Sequence, residues 1–142
     1  MSDDAKANGP LGPDVPLKGP LGPDAPLKGP LGPYTPVVRA GEWLISSGQL
    51  GVAAGALVEG GAGAQITQAI SNLEALLAEH GAELTSVVKT TVFLTDIADY
   101  KEMNEAYVAA FAGHRPARSA VAVAGLPLGA AVEIEAWARA AP

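Results

Sequence analysis

The sequence predicts an α+β fold in which a mixed β-sheet carries two helices on one of its faces. Three observations support this. Apolar residues recur at helical spacing over residues 64–80, valine and threonine dominate residues 85–94, and apolar and charged side chains alternate over residues 131–138. The first pattern is typical of a helix with one buried face, and the last of a half-buried strand. A sheet with one apolar face needs helices to cover it, which gives the predicted layers.

The folded part begins with a predicted hairpin. Residues 37–40 and 43–49 have the composition of strands, and the Gly-Glu pair between them favours a tight turn. A segment rich in glycine and alanine follows, with a short strand near residues 56–58. The first helix covers residues 64–80 and ends before Gly81, a residue type common just after helices.

The second half of the chain supplies a strand, a helix and two further strands. Residues 85–94 are apolar on both faces, which predicts a central position in the sheet. Asp99 can cap a second helix that runs to about Phe111. The final strands lie near residues 118–124 and 131–138, and a short Leu-Pro turn joins them as a second hairpin.

The two final strands each have two distinct faces. We expect the aliphatic faces to lie under the helices: Val121 and Val123 in the first strand, and Val132, Ile134 and Ala136 in the second. The opposite faces carry small residues and charges together with Trp137, and no helix remains to cover them. Burial against other subunits, in a closed ring, is the economical solution.

Residues 1–33 differ from the rest of the chain. A ten-residue unit, Gly-Pro-Leu-Gly-Pro-Asp-Val/Ala-Pro-Leu-Lys, occurs twice, and a third copy merges into the folded part. Nine of the twelve prolines precede Val37, so this stretch cannot sustain a helix or a central strand. We predict a semi-rigid extension of polyproline type, either functionless or a partner-docking arm, ahead of a folded domain at residues 34–142.

Composition excludes several functions. The chain has no cysteine and a net charge of −6, which rules out thiol chemistry and argues against a nucleic-acid partner. No apolar run approaches the roughly 20 residues that a membrane span needs, and the first residues do not resemble a signal peptide. We therefore expect a soluble cytoplasmic protein with neither a nucleic-acid nor a membrane partner.

One short motif carries chemistry. Arg118 opens a strand-like run, and Glu133 lies in the acidic strand that follows. A guanidinium presents two parallel N–H donors that match a substrate carboxylate, and a nearby carboxylate can orient or deprotonate a water. Both groups can also be ordinary surface charges. The strand–turn–strand arrangement predicts that they meet at one rim of the sheet.

Several motifs resemble those of the reactive-intermediate deaminase (Rid, YjgF-like) family of enamine/imine deaminases, in the family's order over residues 32–138. They are Gly32-Pro33-Tyr34, Ser46-Ser47-Gly48-Gln49, Gln65 with Asn72, Val88-Lys89-Thr90-Thr91-Val92-Phe93-Leu94, Asn104 with Tyr107, Pro116-Ala117-Arg118-Ser119, Leu126-Pro127 and Val132-Glu133-Ile134-Glu135. The resemblance implies a chorismate-mutase-like fold, a homotrimer, ligand sites in clefts between subunits, and no cofactor.

The resemblance also implies roles for the two charged residues. Arg118 would hold the substrate carboxylate, and Glu133 would position water or transfer a proton. Without it, Glu133 could be an edge charge or a structural partner for Arg118. Glu135 lies on the same face as Glu133, and we assign it a structural role.

Four further residues would lie near the ligand by the same resemblance. Tyr34 would line the cleft rather than plug the domain, and the Ser47 hydroxyl would face the ligand rather than make a turn bond. Asn104 would reach the cleft rather than form a helix–loop hydrogen bond. Ala120 departs from the family, because many deaminating members carry a cysteine there, close to the ligand.

Other catalytic classes are not favoured. No histidine is placed to activate Ser47, since His80 ends a helix and His114 lies in a loop. We read Lys89 as an exposed strand lysine. Asp96 and Asp99 are explained as turn and cap residues, so we predict no metal site.

The sequence therefore predicts cofactor-free hydrolysis of a small 2-imino acid, or its enamine tautomer, to a 2-oxo acid and ammonia, which would limit damage by reactive metabolites. The alternative is a non-enzymatic trimer that binds small carboxylates or a protein partner. A third interpretation, action on RNA, is the weakest because the chain is acidic.

Overall fold

Residues 32–142 are described by a computed structural model. The extension predicted at residues 1–33 lies outside the described residues, apart from its last two positions, and the domain boundary stays a prediction. Among residues 32–142, no helix is long and apolar enough to cross a membrane.

The principal sheet is mixed, as predicted. Its strands are β1 (Val37–Ala40), β2 (Trp43–Ser46), β3 (Gln49–Leu50), β6 (Val87–Leu94), β7 (Ala117–Ala122) and β8 (Val132–Arg139). A separate two-stranded ribbon consists of β4 (Val52–Ala53) and β5 (Ala56–Leu57). The strand order of the principal sheet is β1-β2-β8-β6-β7, and the short β3 also pairs with β8. Every pairing in it is antiparallel except the parallel one between β6 and β7. The predicted central position of β6 is confirmed.

Both helices pack on one face of this sheet. Helix α1 spans Gly61–Ala78, and its buried side chains recur every three or four residues: Ala62, Gln65, Ile66, Ala69, Ile70, Leu73 and Leu77. The chain turns out of the helix at Gly81, which has a φ of 75°, a conformation that favours glycine. Helix α2 spans Tyr100–Ala110 and buries Met103 and Tyr107 in the same core.

The start of α1 is capped from a distant part of the chain. Glu102, in the first turn of α2, accepts a 2.7 Å hydrogen bond from the Gly63 N–H, one of the amides that a helix leaves unpaired at its N-terminus. A Cβ atom on Gly63 would lie 3.0 Å from that carboxylate. Glycine at position 63 therefore permits the close approach that joins the two helices.

Asp99 caps α2 by its position, as predicted, but not by a side-chain hydrogen bond. A 3-10 turn, Ile97–Asp99, precedes the helix, and Asp96 caps that turn by accepting a 2.9 Å hydrogen bond from the Ala98 N–H. Asp99 stands at the N-cap position of α2 without a side-chain bond. The backbone of Asp96 is extended, as a capping residue requires, whereas that of Asp99 already belongs to the turn.

The predicted hairpin of the last two strands is also wrong. Strand β7 pairs in parallel with β6, and β8 inserts between β6 and β2. The connection passes over the end of β6, where the Val123 N–H donates to the Leu94 carbonyl and the Thr95 N–H donates to that of Ala131. Strand β8 has one strongly apolar face, and its central position buries that face completely.

The two faces of β8 follow the prediction. Val132, Ile134 and Ala136 are buried under the helices, whereas Glu133, Glu135 and Trp137 lie on the uncovered side, called the open face here. For β7 the prediction is wrong. Val121 is 46% exposed, and Arg118 and Ala120 turn toward the helices, opposite the buried Thr90 and Val92 of β6. Small side chains and the apolar stem of an arginine fit beneath α2.

Candidate active site

Arg118 is held by side chains of α2. Its Cζ lies 4.8 Å from the ring centroid of Tyr107 and 5.7 Å from that of Tyr100. Its Nη2 donates a 3.2 Å hydrogen bond to the Tyr100 hydroxyl, and its Nη1 lies 3.8 Å from the Met103 sulfur. Cation–π contacts of this kind favour a guanidinium without neutralising it. We call these four residues the arginine cage.

The guanidinium keeps capacity for a ligand. No carboxylate within residues 32–142 forms an ion pair with Arg118. A guanidinium has five N–H donors, and the contacts to Tyr100 and Met103 use two of them. A half-buried arginine with free donors and no acidic partner is suited to binding a carboxylate in bidentate fashion.

The base of the cage is fixed by a buried hydrogen bond. The Tyr107 hydroxyl lies 2.8 Å from Oγ1 of Thr90, which is fully buried in β6. Burial raises the pKa of Tyr107, and the Thr90 hydrogen bond and the Arg118 charge offset part of that rise. The Tyr107 ring is therefore an anchored, neutral platform beneath the guanidinium.

Glu133 occupies the open face beside Gly48. A Cβ atom on Gly48 would lie 2.6 Å from Cδ of Glu133, so the carboxylate rests against bare backbone. Desolvation raises the pKa of Glu133, and the negative charge of Glu135 raises it further. Within the described part of the chain, Glu133 has no ion pair and no hydrogen bond from its side chain. A half-buried carboxyl with a raised pKa is a candidate for proton transfer.

Ser47 directly precedes Gly48, the residue against which this carboxylate rests. Its Oγ donates a 2.7 Å hydrogen bond to the Thr35 carbonyl, and its N–H donates to that of Pro36. These bonds hold Thr35 and Pro36 beside Ser47, and Tyr34, which is 42% exposed, directly precedes them. The Thr35 bond spans 12 residues, so it is not the local turn bond weighed as the alternative role of Ser47, and the lone pairs of the hydroxyl oxygen stay available. Ser46 has a structural role, because its Oγ accepts from the Ala136 N–H inside the sheet.

The two charged residues do not meet within one chain, contrary to the prediction of a shared rim. Arg118 faces the helices, whereas Glu133 lies on the open face. Along β6, Arg118 is level with Thr90 and Glu133 with Phe93. They are thus about 10 Å apart along the strands and about 10 Å apart across them. The error arises because β6 separates β7 from β8.

Asn104 and Ala120 lie on the arginine side. Asn104 is four residues after Tyr100 and three before Tyr107, which places all three on one side of α2. Its Oδ1 is buried and has no hydrogen-bond partner in the described structure, so the helix–loop bond weighed as its alternative role is not formed. Ala120 follows Arg118 on the same face of β7 and packs against the core.

The remaining polar candidates have structural partners. His80 bonds through Nδ1 to the Leu76 carbonyl, and His114 through Nε2 to that of Val87. Lys89 donates a 2.9 Å hydrogen bond to Ser119. Over residues 32–142, no cluster of three or more acidic or histidine side chains could hold a metal ion. Neither histidine is hydrogen-bonded to Ser47.

Two residues of the arginine cage escaped sequence analysis. Tyr100 and Met103 come at the start of α2, and Tyr107 follows one turn after Met103. The spacing 100, 103 and 107 is the signal that these side chains form one stripe. It does not reveal that the stripe covers an arginine.

Comparison with known proteins agrees with this architecture. The family model described as Endoribonuclease L-PSP matches residues 24–140. The 2-iminobutanoate/2-iminopropanoate deaminase of Rattus norvegicus is 47% identical over 98 residues, which cover 68% of this chain and 72% of the rat protein. The human protein of the same name is 45% identical over the same coverage.

Two solved structures are similar in both sequence and fold. RidA from an Antarctic Psychrobacter has a TM-score of 0.74 and 40% identity, covering 81% of this chain and 93% of that one. Escherichia coli TdcF with bound serine has a TM-score of 0.72 and 32% identity, covering 82% and 92%.

Proposed function

The chain belongs to the Endoribonuclease L-PSP family, and from that premise we propose that it hydrolyses small 2-imino acids, or their enamine tautomers, to 2-oxo acids and ammonia. Several relatives that are 45–47% identical to this chain are named 2-iminobutanoate/2-iminopropanoate deaminase. The observation that carries the proposal is the Arg118 guanidinium, preorganised by aromatic rings and without an acidic partner in residues 32–142. By this proposal the protein limits damage by reactive metabolites.

Arg118 binds the substrate carboxylate in the proposed reaction. The bidentate pair fixes the neighbouring C=N carbon at one position, which removes most of the orientational cost of attack. TdcF contains bound serine, which also carries a carboxylate next to a nitrogen-bearing carbon. Since imines hydrolyse spontaneously, position and charge are adequate sources of acceleration.

Glu133 acts on the water. As a carboxylate it accepts one proton from the water whose oxygen adds to the C=N carbon, and it passes that proton to the substrate nitrogen. The hydroxyl group on the resulting tetrahedral carbon then gives its proton, through Glu133, to the same nitrogen. The C–N bond breaks, ammonia leaves, and the carbon becomes the carbonyl of the 2-oxo acid. The raised pKa of Glu133 is closer to neutral pH than that of an ordinary glutamate, and a group whose pKa is near the working pH can both accept and donate a proton efficiently.

The site requires two chains. Arg118 and Glu133 lie on opposite faces of one sheet, so a cleft that contains both must combine one protomer's β7 edge with a second protomer's open face. We propose a homotrimer with three such clefts. A closed ring buries the uncovered face of every subunit equally.

The other four residues complete the proposed cleft. Tyr34 and Ser47 lie on the side of Glu133, and backbone groups near Ser47 can stabilise developing charge. Asn104 and Ala120 lie on the side of Arg118. The unpartnered Oδ1 of Asn104 can accept a hydrogen bond from the imine nitrogen or the departing ammonia, and Ala120 leaves room for the substrate. No cofactor takes part.

Because 2-imino acids are unstable, the test of this function generates the substrate in the assay mixture itself. An amino-acid oxidase generates a 2-imino acid from each of several amino acids, and semicarbazide traps the imine that persists. We expect the semicarbazone yield to fall as purified protein is added, and Arg118→Ala to restore it. If no imino acid is hydrolysed faster but carboxylates still bind, the non-enzymatic binding function is the correct one.

Action on RNA, which the family description suggests, gains little from the structure. The net charge of −6 opposes binding to phosphates. Both histidines are hydrogen-bonded to backbone carbonyls.

The cytoplasmic location stays a prediction, since one relative, mmf1 of Schizosaccharomyces pombe, is named as mitochondrial.

A further inference from the structure

Tyr100 differs from Tyr107 although both belong to the arginine cage. The Tyr107 hydroxyl is buried and bonded to Thr90, so it contributes to the core. The Tyr100 ring is 42% exposed, and within residues 32–142 its hydroxyl bonds only to Nη2 of Arg118. The one described partner of the Tyr100 hydroxyl is thus the proposed carboxylate-binding group.

The position of Tyr100 is itself fixed. It is the first residue of α2, directly after the 3-10 turn that the Asp96 side chain caps. An arginine side chain at the edge of a sheet otherwise samples many rotamers, and a ligand that orders it loses affinity. A hydrogen-bond acceptor mounted on a rigid helix start can select one orientation in advance.

We infer that Tyr100 is a positioning residue, which holds the Arg118 guanidinium in the orientation that receives a carboxylate. The inference rests on the proposed binding role of Arg118 and adds the residue that determines its readiness. The hydroxyl accepts one N–H of Nη2 and leaves the other N–H of that nitrogen, together with donors on Nη1 and Nε, for the ligand.

The test is Tyr100→Phe, which keeps the ring and removes the acceptor. Affinity is measured by calorimetry on the full-length protein with acetate, 2-oxobutanoate and benzoate, so that no turnover is required. We expect all three dissociation constants to rise about fivefold, within the range of roughly two- to tenfold for ordering one long side chain. An equal rise for all three is the signature of an effect exerted through the guanidinium.

Tyr107→Phe is the matched control, since it removes the same atom from the neighbouring tyrosine. Tyr107→Phe should lower the melting temperature, because it leaves the Thr90 hydroxyl buried and unpaired, whereas Tyr100→Phe should leave the melting temperature unchanged.

In imine hydrolysis, Tyr100→Phe should raise KM by the same factor as the dissociation constants and leave kcat within about twofold.

Three outcomes overturn the inference. The first is that Tyr100→Phe binds all three carboxylates as tightly as the wild type. The second is that Tyr100→Phe weakens the binding of benzoate alone, which would mean that Tyr100 contacts the substituent, and the third is that Arg118→Ala binds carboxylates as tightly as the wild type. Failure of the proposed function looks different. In that case the wild type binds carboxylates through Arg118 without hydrolysing imines, and the affinities of Tyr100→Phe still decide the inference.

Discussion

Gly48 lies so close to the Glu133 carboxylate that a side chain at position 48 would overlap it. Its Cβ atom would be 2.6 Å from Cδ and 3.0 Å from Cγ of Glu133. The carboxylate is desolvated in part because it packs against this bare backbone. The placement of the proposed proton-transfer group therefore depends on the absence of a side chain at position 48.

Gly48→Ala should displace Glu133 and reduce kcat at least tenfold, because proton transfer requires hydrogen-bond distance to the water. Steady-state kinetics would measure this. The control is Gly125→Ala, since a Cβ atom there meets nothing within 4 Å. Equal kinetics in Gly48→Ala and the wild type would mean that Glu133 can move without consequence.

Glu133→Gln should remove most hydrolysis and yet raise the melting temperature slightly at neutral pH. Burial raises the pKa of Glu133 in the folded chain above its unfolded value. Its protonated form therefore stabilises the fold below the unfolded pKa, and that contribution is lost as pH rises through the folded pKa. The gain from Glu133→Gln should shrink toward acid pH, as thermal unfolding across pH can show. A constant gain would point to altered packing.

Arg118→Ala should abolish accelerated hydrolysis, because the substrate loses its counter-charge. Losing a bidentate charge-assisted pair costs roughly 3 kcal/mol, or about a hundredfold in kcat/KM. Arg118→Lys should recover little, since an ammonium cannot reproduce the planar fork. Full activity in either variant would remove Arg118 from the mechanism.

The Thr90–Tyr107 pair should behave as one unit in stability measurements. Tyr107→Phe or Thr90→Val alone leaves a buried hydroxyl unsatisfied and should cost about 1–3 kcal/mol. The double variant should cost less than the sum of the two, because both polar groups are then absent. Denaturant unfolding of the four proteins tests this, and strict additivity would contradict the pairing.

Assembly should depend on the open face and not on the decapeptide repeats. We expect light scattering to give a trimer for the full chain and for a variant that lacks residues 1–31, with nearly equal melting temperatures. Phe93→Asp, which places a charge beside Glu133 on the open face, should dissociate the trimer. A monomeric wild type at micromolar concentration would contradict the two-chain site.

Sequence patterns predicted the helices and the faces of β8 because each depends on local periodicity. Ile66, Ile70, Leu73 and Leu77 repeat at helical spacing whatever surrounds them. The orientation of β7 was mispredicted because alternation shows which residues share a face and not which face meets a helix. Arg118 can face α2 because the apolar stem of its side chain packs where an aliphatic side chain was expected.

The site was predicted less completely than the fold. Residue types and the family resemblance single out Arg118 and Glu133, but their separation depends on strand order, which no local pattern encodes. Tyr100 escaped detection because its contact with Arg118 joins two elements 18 residues apart in sequence. Contacts of that kind depend on register and helix orientation together.

The central place of β8 has a consequence for how the chain folds during synthesis. In the sheet that residues 32–142 form, only β8 joins β1 and β2 on one side to β6 and β7 on the other. A nascent chain on the ribosome therefore holds two half-sheets with apolar faces until β8 has left the exit tunnel. Pairing across such long sequence separations is slow, and chaperones that shield hydrophobic surface would act in this interval.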